Sequence, residues 1–297
     1  MTHDQSEDPD HGARPAKRAP TARQGPSTGR RRLSQALKAA RESAGKTRAE
    51  VATAMDWSLS KVIRIEAGTV GISTIDARAL TGLYGITEPE RVEEILSLAR
   101  NSRLRTWWST LRDRVNPSYY AYIGLEDESV EVLYFAPTTL PTLLQTRDFA
   151  AGGTSVRPTD EEITVRLRRQ QEILNKSRPP RITAIIDEAV LHRIAHAPNR
   201  APEQLSHLLS LSAAPHITIQ VLPFSAGPPP VVAPFAILQF PDPEDADVMY
   251  VENAVTDEVI DRPEDVRPYL HVFHELRDKA LDPAESLAMI KGIVEDG

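Results

Sequence analysis

The sequence predicts a multidomain protein, with an all-α helix-turn-helix domain of five helices followed by a mixed α/β domain. Apolar residues repeat at helical spacing from about residue 33 to residue 99, and β-branched apolar runs alternate with helical segments from about residue 130 onward. Charge divides in the same place. Residues 1–105 hold 18 Lys and Arg against 13 Asp and Glu, whereas residues 106–297 hold 17 against 29. This asymmetry favours a polyanion-binding module joined to an acidic domain with another role.

The first 28 residues are rich in Pro, Gly, Ser, Thr and charged residues, and they almost lack large apolar side chains. We expect residues 1–28 to be a disordered tail, and we place the two domains at residues 29–105 and 106–297. Two interpretations of the basic residues near this tail are open, a DNA-tracking arm or a solvated segment without a specific role. The residues concerned are Arg14, Lys17, Arg18, Arg23, Arg30, Arg31 and Arg32.

Composition also limits the location and the chemistry of the protein. No apolar run approaches the roughly 18 residues needed to cross a bilayer, and the N-terminus lacks the apolar segment of a secretory signal. We therefore expect a cytoplasmic protein with no membrane contact. The chain has no cysteine, which excludes disulfides, thiolate zinc sites and cysteine nucleophiles.

The helices of the first domain follow from helical spacing and from capping residues. One face of the first helix is formed by Leu33, Leu37, Ala40 and Ala44, and Gly45 ends that helix. The later helices are expected to start at Arg48, Ser58, Ser73 and Pro89. The fourth helix is expected to run through the apolar residues Ile75, Ala79, Leu80 and Leu83. In the fifth helix, the residues expected to face inward are Val92, Ile95, Leu96 and Ala99.

The stretch TRAEVATAMDWSLSKVIRIEAG, residues 47–68, has a tight polar turn between two short amphipathic segments. Val62 and Ile65 of the second segment are expected to face the core. The residues left on its outer or leading side are Ser58, Leu59, Ser60, Lys61 and Arg64. A recognition helix presents such N-terminal positions to base edges in the major groove of DNA.

This stretch resembles the T-Q-x-E-L-A … S-x-S-x-V-S-R-I-E-x-G signature of Cro/lambda-repressor-like (Xre family) DNA-binding domains, over about residues 30 to 100. The resemblance implies a lambda-repressor-like domain of five helices. It also implies DNA contacts by Thr47, Arg48, Ser58, Leu59, Ser60, Lys61 and Arg64, and a structural ion pair between Arg41 and Glu66.

Two positions depart from the pattern of that family. Arg48 stands where Gln is usual, and Leu59 stands where Gln is frequent. Arg48 can still hold a phosphate, as a charge instead of an amide donor. Leu59 cannot make a bidentate bond to adenine, so it would contact a thymine methyl group or no base atom.

The second domain is predicted to alternate helices and strands after a linker that contains Trp107 and Trp108. Two interpretations of this aromatic pair are open, packing of the linker onto a domain or stacking on DNA bases. Strands are expected at residues 130–135, 182–187, 217–224, 235–241 and 248–253, the last two as a hairpin. Helices are expected at residues 159–175, around Val190 and Leu191, and at 202–212, 263–280 and 283–294.

Several short motifs mark the second domain. The order of YIGLEDES, LPTLLQTRDFA, RLRRQ, IDEAVL, ITIQVLPFSAG, FAILQFPD and AESLAMI resembles the uncharacterised C-terminal domain of many Xre-type regulators of toxin-antitoxin-like systems, over nearly all of residues 106–297. The resemblance implies a partner-binding or sensing domain, and a small partner protein encoded nearby. It implies no activity and no ligand.

The strongest candidate for metal chemistry is the set Glu188, His192 and His196, spaced four residues apart on one predicted helix face. The alternative is a solvated helix face, which we favour because the H-E-x-x-H pattern is absent. The sequence also lacks a G-x-S-x-G elbow, a P-loop and a G-x-G-x-x-G loop. We therefore expect no catalytic residue, no metal and no cofactor.

Together these features predict a sequence-specific DNA-binding transcriptional regulator that binds double-stranded DNA as a homodimer and is not an enzyme. Its α/β domain is expected to bind a partner protein or an effector. Two alternatives are open. One is an antitoxin-like protein-binding adaptor with autoregulatory DNA binding, which copurification of a small basic protein would favour. The other is a DNA-tethered metal-dependent enzyme, which metal in the purified protein would favour.

Overall fold

A computed structural model of the protein describes residues 26–104, 106–152, 159–197, 201–252 and 257–296. It has a helical domain followed by a domain built on one mixed sheet, which confirms the predicted fold class. Within these ranges, no helix is long and apolar enough to cross a membrane. The predicted tail lies outside the described residues up to residue 25.

The helical domain has five short helices around one apolar core. They are α1 (Pro26–Ser43), α2 (Arg48–Ala54), α3 (Leu59–Glu66), α4 (Thr74–Leu83) and α5 (Pro89–Asn101). Thr47, Ser58 and Ser73 cap α2, α3 and α4, since each side chain accepts a hydrogen bond from the third backbone N–H of its helix. The core includes Leu33, Leu37, Val51, Val62, Ile65, Leu80, Ile95 and Leu96. Helices this short are stable only because they pack on one another.

Helix α1 begins earlier than its apolar pattern indicates. The pattern starts at Leu33, but the helix starts at Pro26, so the tail boundary expected at residue 28 falls inside it. Proline suits the first turn of a helix, where its missing N–H would have no partner in any case. The second domain holds this first part of α1 by polar contacts, which leave no apolar stripe to read in the sequence.

Helix α4 buries only part of the apolar residues that mark it in the sequence. Ile75 is 80% exposed and Ala79 is also exposed. The helix packs through Ala77, Leu80 and Thr81, and of these only Leu80 belongs to the apolar residues named in the sequence analysis. Ala77 lies about half a turn away from Ile75 around the helix axis, because each residue turns the chain by about 100°. The most apolar residue therefore did not mark the inner face.

The second domain alternates helices and strands over residues 107–296. Its α-helices are α6 (Pro117–Glu128), α7 (Arg147–Gly152), α8 (Asp160–Leu174), α9 (Glu188–Ala195), α10 (Ala201–Leu211), α11 (Pro263–Lys279) and α12 (Pro283–Asp296). Its strands are β1 (Glu131–Ala136), β2 (Arg181–Asp187), β3 (Ile217–Leu222), β4 (Phe235–Gln239), β5 (Val248–Val251) and β6 (Glu258–Ile260). Short 3₁₀ turns lie at Trp107–Leu111, Thr142–Leu144 and Phe224–Ala226.

The described strands form one sheet in the order β3-β2-β1-β4-β5-β6. Strand β1 lies parallel to β2 and antiparallel to β4, so the parallel and antiparallel parts of the sheet meet at β1. Helix α11 covers one face, while α6, α8, α9, α10 and α12 contribute to the core on the other. Strands β4 and β5 form the predicted hairpin. Strand β6 was not predicted, because three residues are too short to show alternation.

The aromatic pair in the linker packs on the second domain. Trp108 is buried with Leu111, Ile123 and Val165. Trp107 Nε1 donates a hydrogen bond to Asp127 Oδ1 at 2.9 Å. This geometry supports the packing interpretation, because a buried Trp108 has no free ring face for a DNA base.

Helix α1 crosses α6 of the second domain at close range. Gly124 lies at the crossing, and a Cβ atom there would overlap Ser27 Oγ and lie 2.9 Å from Trp108 Nε1. The backbone N–H groups of Ser27 and Thr28 donate to the Glu128 carboxylate at 2.5 and 2.8 Å. Burial raises the pKa of Glu128, although these hydrogen bonds oppose the rise. A carboxylate at the start of α1 also interacts favourably with the helix dipole.

Two arginines of α1 contact an acidic loop of the second domain. Arg32 Nε lies 2.5 Å from Asp245 Oδ1, and Arg32 Nη2 lies 3.1 Å from Asp242 Oδ2. Arg31 donates to the Ala246 carbonyl at 2.7 Å. Both arginine side chains are largely buried. The DNA-arm interpretation is therefore wrong for Arg31 and Arg32, which join the two domains; the basic residues up to position 23 lie outside the described residues.

We expect Gly124→Ala to loosen the crossing of α1 over α6, because the new methyl group would meet Ser27 and Trp108. Overpacking of this kind costs about 1 to 3 kcal/mol. Gly82→Ala in α4 is a matched control, since a Cβ atom there has no neighbour within 4 Å and alanine is the better helix former. Urea unfolding followed by tryptophan fluorescence measures both variants. Equal stability of the two would contradict the close crossing.

Candidate nucleic-acid interface

The helix-turn-helix consists of α2, a tight turn at residues 55–58 and α3. Asp56 in the turn has a φ of +53°, in the left-handed region that aspartate tolerates better than most residues with a side chain. The Trp57 N–H donates to the Ala52 carbonyl at 2.8 Å and closes the end of α2. Val62 and Ile65 then face the core. The outer face and the N-terminus of α3 are left towards solvent.

The start of α2 combines a cap with free backbone donors. The Thr47 hydroxyl accepts from the Glu50 N–H at 3.2 Å, and the Glu50 carboxylate accepts from the Thr47 N–H at 2.8 Å. The N–H groups of Arg48 and Ala49 have no hydrogen-bond partner in the described part of the chain. Such groups, at the positive end of the helix dipole, suit a phosphate. The Thr47 hydroxyl itself serves the cap.

Arg48 has a second role that the sequence did not indicate. Its Nε lies 2.8 Å from Glu66 Oε2, at the end of α3, while 44% of its side chain stays exposed. The contact positions the guanidinium at the edge of the helix pair. Nη1 and Nη2 have no partner among the described residues, so they remain available to a phosphate.

The outer face of α3 mixes free polar groups with apolar side chains. Ser60 and Arg64 are exposed, and neither side chain has a hydrogen bond or an ion pair within the described ranges. The Ser58 hydroxyl is occupied, since it accepts from the Lys61 N–H at 3.2 Å. Leu59 is 48% exposed and Ile63, one turn later, is 44% exposed. The two form an apolar strip that suits thymine methyl groups.

Ile63 is the residue of this face that sequence reasoning missed. It follows Leu59 by four positions, the spacing that places two side chains on the same helix face. With Val62 and Ile65 assigned to the core, this spacing was the signal that could have identified it. An exposed β-branched residue beside a polar one is easily assigned to the core by apolarity alone.

Lys61 is held by its neighbours. Its ammonium nitrogen lies 3.6 Å from the centre of the Trp57 ring and 3.8 Å from Asp76 Oδ2. Both contacts attract the charge, and the side chain is 36% exposed. Binding to DNA would have to replace these contacts. Of the two basic residues of α3, Arg64 is therefore the freer one.

Arg41 and Glu66 form an ion pair that joins α1 to the end of α3. Arg41 Nε lies 2.5 Å from Glu66 Oε1, and Arg41 Nη1 donates to the Lys46 carbonyl at 2.7 Å. Burial alone would raise the pKa of Glu66, but hydrogen bonds from Arg41 and Arg48 outweigh it and hold this pKa below the ordinary value. The pair thus holds the end of α3 against α1, and both side chains are largely buried.

The side chains of Glu188, His192 and His196 in α9, the candidate metal ligands, make contacts within the protein. Glu188 Oε1 lies 3.3 Å from His192 Nε2, and Glu188 Oε2 accepts from the Phe224 N–H at 2.7 Å. His196 Nδ1 lies 2.7 Å from the His192 carbonyl, at the end of the helix. In the part of the chain that the structure describes, no three His, Cys, Asp or Glu side chains are grouped so that they could hold a metal ion.

Comparison with known protein families gives two matches. The family described as "Helix-turn-helix domain" matches residues 32–93, which cover most of α1 and all of α2, α3 and α4. The family described as "Domain of unknown function (DUF5753)" matches residues 119–292, more than half of the chain. No curated protein and no solved structure matches the chain. The chain therefore has a helix-turn-helix of the kind that binds DNA.

We expect the stability of the protein to fall at low pH through Glu66. Because its pKa is lower in the folded protein than in the unfolded chain, the contribution is present at neutral pH, and it is lost as pH falls through the folded value. The free-energy gap between the wild type and Glu66→Gln should thus be largest near neutral pH and shrink below about pH 4. Urea unfolding at several pH values measures it.

Glu93→Gln is the matched control for this measurement. Glu93 also pairs with an arginine, Arg100, at 2.5 Å, but both side chains are more than half exposed. Exposed pairs contribute little to stability. A gap for Glu66→Gln that stayed constant from neutral to acidic pH would contradict the role of the buried pair.

Proposed function

Since the chain belongs to the DUF5753 family and carries a helix-turn-helix domain at its N-terminus, we propose that it is a sequence-specific transcriptional regulator that binds double-stranded DNA. The observation that carries the proposal is the outer face of α3. It presents Arg64 and Ser60 without protein partners, next to the exposed apolar strip of Leu59 and Ile63. Such a face matches the mixed polar and methyl pattern of the major groove.

The backbone of DNA would be held at the start of α2. There the free N–H groups of Arg48 and Ala49 and the exposed guanidinium of Arg48 meet at one edge. Contacts of this kind fix the register of the protein on the duplex and carry no sequence information. Sequence would be read by α3, with Arg64 as the main polar contact and Leu59 and Ile63 against thymine methyl groups.

A homodimer on DNA completes this part of the proposal. One recognition helix reads only a few base pairs, and two copies related by a two-fold axis read two half-sites about one helical turn apart. A palindromic operator is therefore expected. Regulators of this kind gain both affinity and specificity from the second copy.

The α/β domain is proposed to bind a partner protein or an effector, and no catalytic step is assigned to it. Its charge supports a basic partner, since residues 106–297 hold 17 Lys and Arg against 29 Asp and Glu. The antitoxin-like adaptor is the second candidate function, favoured by the same acidic balance. A small basic protein that copurifies with the chain would support it.

We expect Arg64→Ala to weaken binding to a selected duplex by about 1 to 3 kcal/mol, with relaxed preference at one position if Arg64 contacts a base. Arg91→Ala is the matched control, because Arg91 is similarly exposed but lies on α5 and pairs with Glu94 at 2.7 Å. Duplexes are first selected from a random pool with the wild type, and fluorescence anisotropy then measures both variants. Undiminished binding by Arg64→Ala would remove the outer face of α3 from the DNA contact.

We expect Leu59→Gln to change the preferred sequence instead of abolishing binding. A glutamine amide can bond to the N6 and N7 atoms of adenine, whereas leucine favours a thymine methyl group. Selection from the same random pool should replace thymine by adenine at one position in each half-site. Ile75→Gln is the control, since Ile75 is exposed on α4, outside α2 and α3. An unchanged preference with Leu59→Gln would mean that this side chain does not reach a base.

A further inference from the structure

A cleft lies at the carboxyl end of β1, on the side where β1 meets β4. The space in it that a water-sized sphere can enter is about 40 Å³, and the cleft opens to solvent. Residues from β1, β4, β5, α6, α8 and the loop after β1 line it. The cleft lies where the parallel part of the sheet, β1 with β2, meets the antiparallel part, β1 with β4.

Arg169 lines the cleft and forms a fully buried ion pair with Glu126, which does not line it. Arg169 Nε lies 2.5 Å from Glu126 Oε2, and Arg169 Nη2 lies 2.6 Å from Glu126 Oε1. Burial alone would raise the pKa of Glu126, but the charge of Arg169 and its bonds hold that pKa below the ordinary value. Both groups are therefore ionised, and their charges cancel. A charged ligand would find no unpaired charge at Arg169, so the free energy that it loses with its hydration would not be regained.

Two hydroxyl groups above the pair are left as hydrogen-bond donors. Arg169 Nη1 donates to Thr142 Oγ1 at 2.6 Å and to the Tyr119 hydroxyl at 3.2 Å. These bonds use the oxygen atoms as acceptors, so the O–H hydrogen of each group is free to point elsewhere. Neither hydroxyl has an acceptor among the described residues. Bonding to a guanidinium also makes a hydroxyl a stronger donor.

The Thr142 hydroxyl is held in place by the loop around it. The Gln170 side chain on α8 donates to the Thr142 carbonyl at 2.6 Å and to the Gln145 carbonyl at 2.7 Å. Arg169, next along the same helix, makes five side-chain hydrogen bonds in all. The donors of the cleft are thus preorganised, which lowers the entropy cost of binding a ligand.

The walls of the cleft are aromatic. The rings of Tyr122 and Tyr250 stack with centroids 3.9 Å apart and 10° between their planes. Phe235 lies at the start of β4 on the same cleft. Glu252 also lines the cleft, where burial raises the pKa of its carboxyl group, and its oxygen atoms can accept hydrogen bonds. An aromatic ring would bury apolar area against these walls, and an N–H group on the ligand would suit Glu252.

We propose that this cleft is a binding site for a small, uncharged aromatic compound that carries a carbonyl group. The carbonyl oxygen has two lone pairs, which match the two O–H donors of Tyr119 and Thr142. The ring lies against the tyrosine and phenylalanine walls, and an amide N–H faces Glu252. A carboxylate in place of the carbonyl binds more weakly, because the charge of Arg169 is already neutralised by Glu126.

The site rests on the proposed function in one respect, since it gives the effector a place in the α/β domain. Helix α6 carries Tyr119 and Tyr122 into the cleft, and further along it carries Gly124 and Glu128, which contact α1 of the helical domain. The binding experiment contains no DNA. Its failure would leave DNA binding intact, and a failure of DNA binding would leave the cleft intact.

Benzamide is the probe for the full-length chain, with benzoate as the charged counterpart. A ligand-detected NMR titration should give a dissociation constant of about 1 mM for benzamide, an ordinary efficiency for so small a molecule. Benzoate should bind at least about tenfold more weakly, because a carboxylate loses its hydration without a free partner. Absence of saturation transfer to benzamide would overturn the proposal, and so would equal affinity for the two compounds.

The variants Tyr119→Phe and Thr142→Val each remove one donor and keep the shape of the side chain. Each should weaken benzamide binding at least about fivefold. Thr164→Val is the matched control, because Thr164 is exposed on α8 and does not line the cleft, and the affinity of this variant should stay within about twofold. Circular dichroism checks the fold; if one donor variant unfolds, the other decides. Full affinity in a folded donor variant would sink the assignment.

Discussion

Helix α1 packs against both the helical domain and the α/β domain, and its contacts with the two domains constrain how they lie next to it. Its middle buries Leu33 and Leu37 in the helical core, and Arg41 near its end holds the recognition helix through Glu66. Its first turns lie on the second domain, where Arg32 pairs with Asp245. One helix of 18 residues therefore contacts both α3 and the acidic loop of the α/β domain.

Local signals predicted most of the helical domain. Capping residues and apolar spacing depend only on near neighbours, so Ser58 and Ser73 marked the starts of α3 and α4 correctly. The predictions failed where contacts with distant parts of the chain determine which side chains are buried. From the sequence, Arg32 could be either a solvated or a DNA-binding residue. Only the fold shows that it contacts an acidic loop more than 200 positions later in the chain. Ile75 is apolar but exposed. Its apolar side chain alone does not indicate which face of α4 packs against the other helices.

In the α/β domain too, local sequence patterns predicted the elements but not their arrangement. Apolar β-branched runs predicted the long strands, since strands buried on both faces need them. Their order in the sheet, and the three-residue strand β6, follow from pairing that the runs do not encode. The cleft was not predicted at all. Its centre is a pair of charged residues, Glu126 and Arg169, 43 positions apart, and each alone reads as a surface residue on a helix.

A ligand in the cleft can change DNA binding only if it binds two arrangements of the chain with different affinity. Helix α6 is the element that could differ between them, because it touches the ligand site through Tyr119 and the helical domain through Gly124. The crossing at Gly124 leaves no room for α6 to move towards α1 without displacing it. A ligand that leaves α6 in place would bind without effect on DNA. The coupling between ligand binding and DNA binding therefore depends on how far the ligand displaces α6. Tight binding of a ligand to the cleft does not by itself produce coupling.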